Sequence, residues 1–96
     1  MIIYSVEISI KKECCNEWVI WMKNNHIPDV MKTGLFIDYT FFKNLHTHHT
    51  YTIQYKLESI EKYFQYQEVF ATDLQKAHNQ NFKNNFSAKR NLFTDL

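Results

Sequence analysis

From Ile2 to Ile10 the chain alternates, with Ile2, Tyr4, Val6, Ile8 and Ile10 on one parity and Ile3, Ser5, Glu7 and Ser9 on the other. A two-residue period is that of a strand with one buried face. The period then changes. Cys14 or Cys15, Trp18, Trp21, Met22 and His26 recur at three- and four-residue steps and predict a helical stripe. Asn25-His26-Ile27-Pro28 is expected to interrupt that helix, because proline disfavours helical geometry in the residue before it and suits the first turn of a new helix. A short second helical piece, Pro28 to Lys32, follows. Gly34, the only glycine, is placed to end it as a left-handed cap.

Alternation returns from Leu35 to Lys43, with Leu35, Ile37, Tyr39 and Phe41 on one side and Phe36, Asp38, Thr40 and Phe42 on the other. Asn44 to His49 reads as a hairpin loop, and Thr50 to Leu57 as a third strand with Tyr51, Ile53, Tyr55 and Leu57 inward. Ser59 is a good N-cap, with Glu58 and Glu61 near the positive end of the helix dipole. The helix it opens carries Ile60, Tyr63, Phe64, Phe70, Ala71, Leu74, Ala77 and His78 on one stripe. Asparagine-rich Asn79 to Asn85 ends it, and Phe86 to Thr94 supplies a last, less regular strand. The order βαββαβ, two right-handed crossovers joined by a hairpin, predicts an α+β, ferredoxin-like fold. In it a four-stranded antiparallel sheet carries both helices on one face. That fold hosts many unrelated functions, so function has to be argued from side chains.

Composition narrows the field. With 96 residues, 45% hydrophobic and 17% aromatic, the chain is expected to build one core, a single domain over residues 1–96. Eleven basic against 10 acidic side chains, a net +1, leave no footprint of the kind that nucleic acid or an anionic membrane selects. The longest apolar run, Trp18 to Met22, is far short of the ~20 residues of a membrane span. The N-terminus alternates instead of showing an export signal, so the cytoplasm is the expected location. Cys14 and Cys15 are adjacent, which does not suit an unstrained disulfide, and no CxxC site exists.

Inward parity directs Tyr4, Tyr39, Tyr51 and Tyr55 into the same space as Trp18, Trp21 and His26. A buried tyrosine, tryptophan or histidine has an apolar body and a polar tip that wants a partner. Either these tips bond to one another, to backbone or to trapped water, or some of them line a mostly aromatic small-molecule pocket. The residues expected to bind such a ligand are Tyr4, Trp18, Trp21, Met22, His26, Tyr55 and His78. His26 with Asp29 is the sharpest candidate for catalysis, since a carboxylate three residues on could orient an imidazole for acid–base work. The commoner alternative is a histidine closing a helix on main-chain carbonyls.

Other chemistry is less supported. His46 and His48 in the hairpin could offer two nitrogens to a divalent metal, but no nearby carboxylate or cysteine completes a set of four, and no metal site is predicted. RNA recognition on the open sheet face is disfavoured, because that face receives Ser5, Glu7, Thr52 and Gln54 while the tyrosines turn inward. One glycine cannot make a phosphate loop, and no cofactor is specified.

Several stretches carry a resemblance: Met1-Ile2-Ile3-Tyr4, Trp18 through Met22, His26-Ile27-Pro28-Asp29-Val30, Thr33-Gly34-Leu35-Phe36 and Gln54-Tyr55, with His78 and Phe82. Together they resemble a bacterial family known as domain of unknown function 4286, within the wider group of dimeric α/β barrels. The resemblance covers nearly the whole chain and implies the ferredoxin-like fold and a homodimer. It implies no reaction, and the hairpin histidines depart from it. Sheets in such barrels pair through the faces opposite the helices, here Ile3, Ser5, Glu7, Phe36, Asp38, Thr40, Phe42, Thr52, Gln54 and Lys56. Charges buried there must pair, reach the rim or keep water. Some dimeric α/β barrels degrade haem with a helix-borne histidine, which makes His78 a minor candidate for that role. Three functions remain: a small-molecule-binding dimer; a cofactor-independent monooxygenase or isomerase using aromatic walls and His26 or a tyrosine; and a structural or protein-interaction dimer whose tyrosine hydroxyls are all satisfied internally.

Overall fold

A computed structural model describes all 96 residues. Strand β1 (Ile2–Ile10) lies between β3 (Thr50–Leu57) and β4 (Phe86–Thr94), and β2 (Asp38–Lys43) forms the edge beyond β3. Every pairing is antiparallel, in the order β2-β3-β1-β4. With its two helices this is the ferredoxin-like arrangement that the alternation predicts. The core joins the inward parity of the sheet, Tyr4, Ile8, Ile10, Ile53, Tyr55 and Leu57, to Trp18, Met22, Ile27, Val30, Tyr66 and Ala71 of the helices.

The first helix is not broken at Pro28. After a short turn, Lys12–Cys14, it runs as α-helix over Cys15–Trp21, as π-helix over Met22–His26 and as α-helix again over Ile27–Met31. Ile27, before the proline, keeps helical angles of φ −61° and ψ −46°. Proline removes an N–H and crowds the carbonyl one turn back, and a wider turn just ahead of it relieves both. Gly34 then ends the helix at φ +77°, as a left-handed cap should.

The second helix repeats the pattern: α over Ile60–Tyr66, π over Gln67–Ala71, α over Thr72–Asn81. Ser59 caps it, its Oγ accepting from the Lys62 N–H at 3.4 Å. Tyr66 rather than Phe64 faces the sheet: Tyr66 is buried and Phe64 is 60% exposed.

Residues 35–37 precede β2 and do not alternate. Leu35 and Phe36 are both buried, and Phe36 packs on Tyr55 and Tyr66 with ring centres 5.1 and 4.9 Å away. Phe36 therefore belongs to the core and not to the open sheet face. Tyr39 and Ile37, expected inside, are largely exposed at the sheet edge. On the open face the register sets Glu7 opposite Lys89 and Asp38 opposite Lys56, around a central row of Thr40, Gln54, Ser5 and Asn91. No helix is long and apolar enough to cross a membrane.

Candidate functional site

A cavity of about 40 Å³ lies between sheet and helices. Its floor is the inward parity of three strands: Tyr4, Val6 and Ile8 of β1, Ile53 and Tyr55 of β3, and Arg90 of β4. Its roof is Met22, His26 and Val30 of the first helix and Tyr66, Gln75, His78 and Asn79 of the second. The first helix reaches it through its π-turn, with Met22 and His26, and the second from both sides of its own, with Tyr66 before it and Gln75, His78 and Asn79 after it. Met22 and Ile27, like Tyr66 and Ala71, are buried five residues apart, a spacing that α-helix would rotate onto different faces.

Of the expected ligand-binding residues, Tyr4, Met22, His26, Tyr55 and His78 line the cavity. Trp18 and Trp21 stand behind it as the wall that orients the histidines. The Trp18 indole N–H donates to His78 Nε2 at 2.8 Å, and Trp18 itself is fully buried against Tyr51 and Phe41. Indole nitrogen only donates, so His78 Nε2 must accept and its proton is assigned to Nδ1. Trp21 stacks on His26 at 5.2 Å, and Phe86 closes edge-on over His78 at 4.3 Å.

His26 and His78 face each other with ring centres 5.7 Å apart. Burial pulls His26 down to about 4, against the opposing pull of Asp29 and with some help from Arg90. His78 is likewise lowered to about 4, by burial first and then by His26 and Arg90. Both imidazoles are uncharged at neutral pH. Burial also pushes the Tyr55, Tyr66 and Tyr4 phenols up, keeping them protonated.

The tyrosine tips are the informative groups. Tyr55 and Tyr66 are 2% and 3% exposed, yet no hydrogen bond within the protein engages either hydroxyl. No buried side-chain polar atom is left unpartnered and out of reach of water, so these hydroxyls are accessible to it, and both residues line the cavity. Arg90 acts on Tyr4, Tyr66, His26 and His78 and forms no ion pair; the two ion pairs of the protein are Met1–Asp95 and Lys62–Glu58. Arg90 also borders a second groove of about 280 Å³ with Tyr4, Tyr63, Asn91 and Leu92.

The candidate pairing of His26 with Asp29 does not form. Asp29 is exposed on an outer groove beside Lys32 and Asp73, and no hydrogen bond or ion pair joins it to His26. The three-residue step crosses from π- to α-helix, which turns the two side chains apart. The role weighed for His78 against haem meets two obstacles, since Nε2 is held by Trp18 and the cavity has no room for a porphyrin. The hairpin histidines gather no third metal ligand. Asn44 Oδ1 organises that loop by accepting from the His46 and Thr47 N–H groups, and Cys15 Sγ lies 3.6 Å from His49 Nδ1.

Tyr66, Gln75, Asn79 and Arg90 are the lining residues that sequence reasoning did not single out. Arg90 was within reach of it: Phe86, Ala88, Arg90 and Leu92 share one parity of β4, which places the arginine inward beside Val6.

Among solved structures, a dimeric ferredoxin-like protein from an uncultured marine organism is similar at 14% identity and a TM-score of 0.75, over 100% of this chain and 95% of that one. HapK from Hahella chejuensis is similar at 10% identity and 0.75, over 100% and 93%. SnoaB, a cofactor-independent oxygenase from Streptomyces nogalater, is similar at 7% identity and 0.73, over 98% and 91%. At these identities the likeness is one of fold. No curated protein matches the chain. The family model described as a domain of unknown function (DUF4286) matches residues 1–96, and the chain belongs to that family.

Proposed function

We propose that the chain is a cytoplasmic homodimer, one domain over residues 1–96, that binds a small aromatic or apolar molecule between its sheet and helices. The observation that carries this reading is that two buried tyrosines, Tyr55 and Tyr66, line the cavity with hydroxyls that have no protein partner and that water can reach. An interior with only a structural role would satisfy them internally. A cavity of about 40 Å³ holds a few waters or the polar end of a ligand. The adjoining groove of about 280 Å³ shares Tyr4 and Arg90 with it and offers space for an apolar body between Tyr63 and Leu92. Jointly they reach the lower end of small-molecule sites, roughly 300 Å³.

Support for the dimer comes from the open face. Its charges stand opposite one another in register, so covering it need not strand a single sign of charge. Native mass spectrometry of protein purified without an affinity tag tests both parts. The expected spectrum shows two chains with a retained small molecule; a ligand-free monomer refutes the reading.

A second reading, a cofactor-independent oxygenase or isomerase, is favoured by His26, an uncharged imidazole that lines the cavity with no hydrogen-bond partner in the protein. Recovery of the retained molecule chemically unchanged after incubation in air marks a binder. Its conversion, lost in His26→Gln, marks an enzyme.

A further inference from the structure

The polar groups of the cavity are unbalanced. His78 presents Nδ1–H, since its Nε2 accepts from Trp18. Tyr55 and Tyr66 bring protonated hydroxyls with no acceptor inside the protein. Arg90 brings a full positive charge and a fork of N–H donors, and no carboxylate lies anywhere in the lining. Gln75 and Asn79 have amides that serve either way. Donors and positive charge thus converge where no carboxylate answers them: Arg90, exposed at the outer side of the cavity, meets only the neutral Tyr4 hydroxyl.

We infer that this cavity takes the carboxylate end of a small organic acid, with Arg90 supplying charge and Tyr55, Tyr66 and His78 supplying hydrogen bonds. The inference deepens the binding reading and rests on it. Placement supports it as well as chemistry. Arg90 borders both the inner cavity and the outer groove, so a ligand passing from one to the other passes the guanidinium. A planar carboxylate matches the arginine fork, and its small size suits the inner space. The body of the acid then lies outward, between Tyr63 and Leu92. Both imidazoles stay uncharged, which leaves Arg90 as the one cation of the lining.

Benzoate and its uncharged counterpart benzamide are suitable probes, titrated calorimetrically into the untagged full chain at pH 7.5. Benzoate is expected to bind at least about tenfold tighter than benzamide. Arg90→Gln is expected to remove that preference by weakening benzoate far more than benzamide, and Arg90→Lys, which keeps charge but not the fork, to fall between. Equal or tighter binding of benzamide by the wild type overturns the inference and leaves the binding reading standing. Preferential benzoate binding that survives Arg90→Gln also overturns it, because the charge is then recognised elsewhere. Binding of neither probe overturns it too; the binding reading is decided separately by the retained ligand in native mass spectrometry.

Discussion

Acid should destabilise this protein through the two histidines that face each other across the cavity. The surrounding titratable groups are Tyr4 on β1, Tyr55 on β3, Tyr66 on the second helix, Arg90 on β4 and, outside the lining, Asp29 on the first helix. Only Asp29 favours a charged His26, and burial outweighs it. An unfolded histidine titrates near 6.5, whereas each of these is held at about 4 in the fold. Between those values the unfolded chain binds more protons, so stability rises with pH across the window. It is fully present above 6.5 and is lost as pH falls towards 4.

By linkage, each histidine costs about 1–2 kcal/mol at pH 5, after allowing for water reaching the cavity from the Arg90 side. Two of them remove about 2–4 kcal/mol, a large share of the roughly 5–15 kcal/mol of a typical domain. The assay is urea denaturation followed by the fluorescence of Trp18 and Trp21, at pH 7.5, 6 and 5. His26→Gln/His78→Gln is the control, since glutamine can still accept from the Trp18 indole but cannot titrate. The wild type should lose its stability more steeply than the control, and NMR should show both imidazoles neutral at pH 6. Equal pH dependence in the two proteins, or an imidazole that titrates near 6.5 in the folded state, refutes the reasoning.

Other outcomes can be checked on the same footing. Leu57→Ala, at a position with no exposure, should cost about 2–5 kcal/mol in the same denaturation assay. Trp18→Phe removes the only donor to His78 Nε2 and should cost about 1–3 kcal/mol, with a change in the His78 ¹⁵N shifts that reports the tautomer. Gly34→Ala meets no atom within 4 Å of the new Cβ, so its cost of about 1–2 kcal/mol should come from the left-handed backbone alone and be partly recovered by Gly34→Asn. Ser5→Lys puts a charge in the middle of the open face and should convert a light-scattering mass of two chains into one; an unchanged dimer would place the interface elsewhere.

The strands were legible because their signal is local. β1 and β3 have one parity for the helices and one for the open face, and both run within the bounds that alternation predicts. β2 was legible only in part. Leu35 and Phe36 look like the start of an alternating strand, but they lie in the connection from Gly34, where consecutive residues can both turn inward. β4 looked less regular because Arg90, on the helix-side parity, is exposed at the border of the cavity where a covered strand would carry an apolar residue. That departure marked the site. It could not be recognised as such before the register placed Arg90 beside Val6 and under the two histidines.

The helices show a different limit, and it bears on the chemistry. A three- or four-residue stripe assumes one uniform helix, and both helices here widen for one turn. The Pro28 signal was real, but its consequence was a π-turn ahead of the proline and not a break. Beyond each π-turn the buried face falls one residue later than α-helical counting predicts, as the pairs Met22–Ile27 and Tyr66–Ala71 show. That shift separates Asp29 from His26. It also brings His26 against His78, which sits on the far side of the second helix's own π-turn. A carboxylate beside His26 would have made a charged, internally satisfied pair; its removal leaves two neutral imidazoles and an arginine with nothing acidic to answer it. The same backbone feature that defeated the spacing argument therefore accounts for the donor-rich character of the cavity.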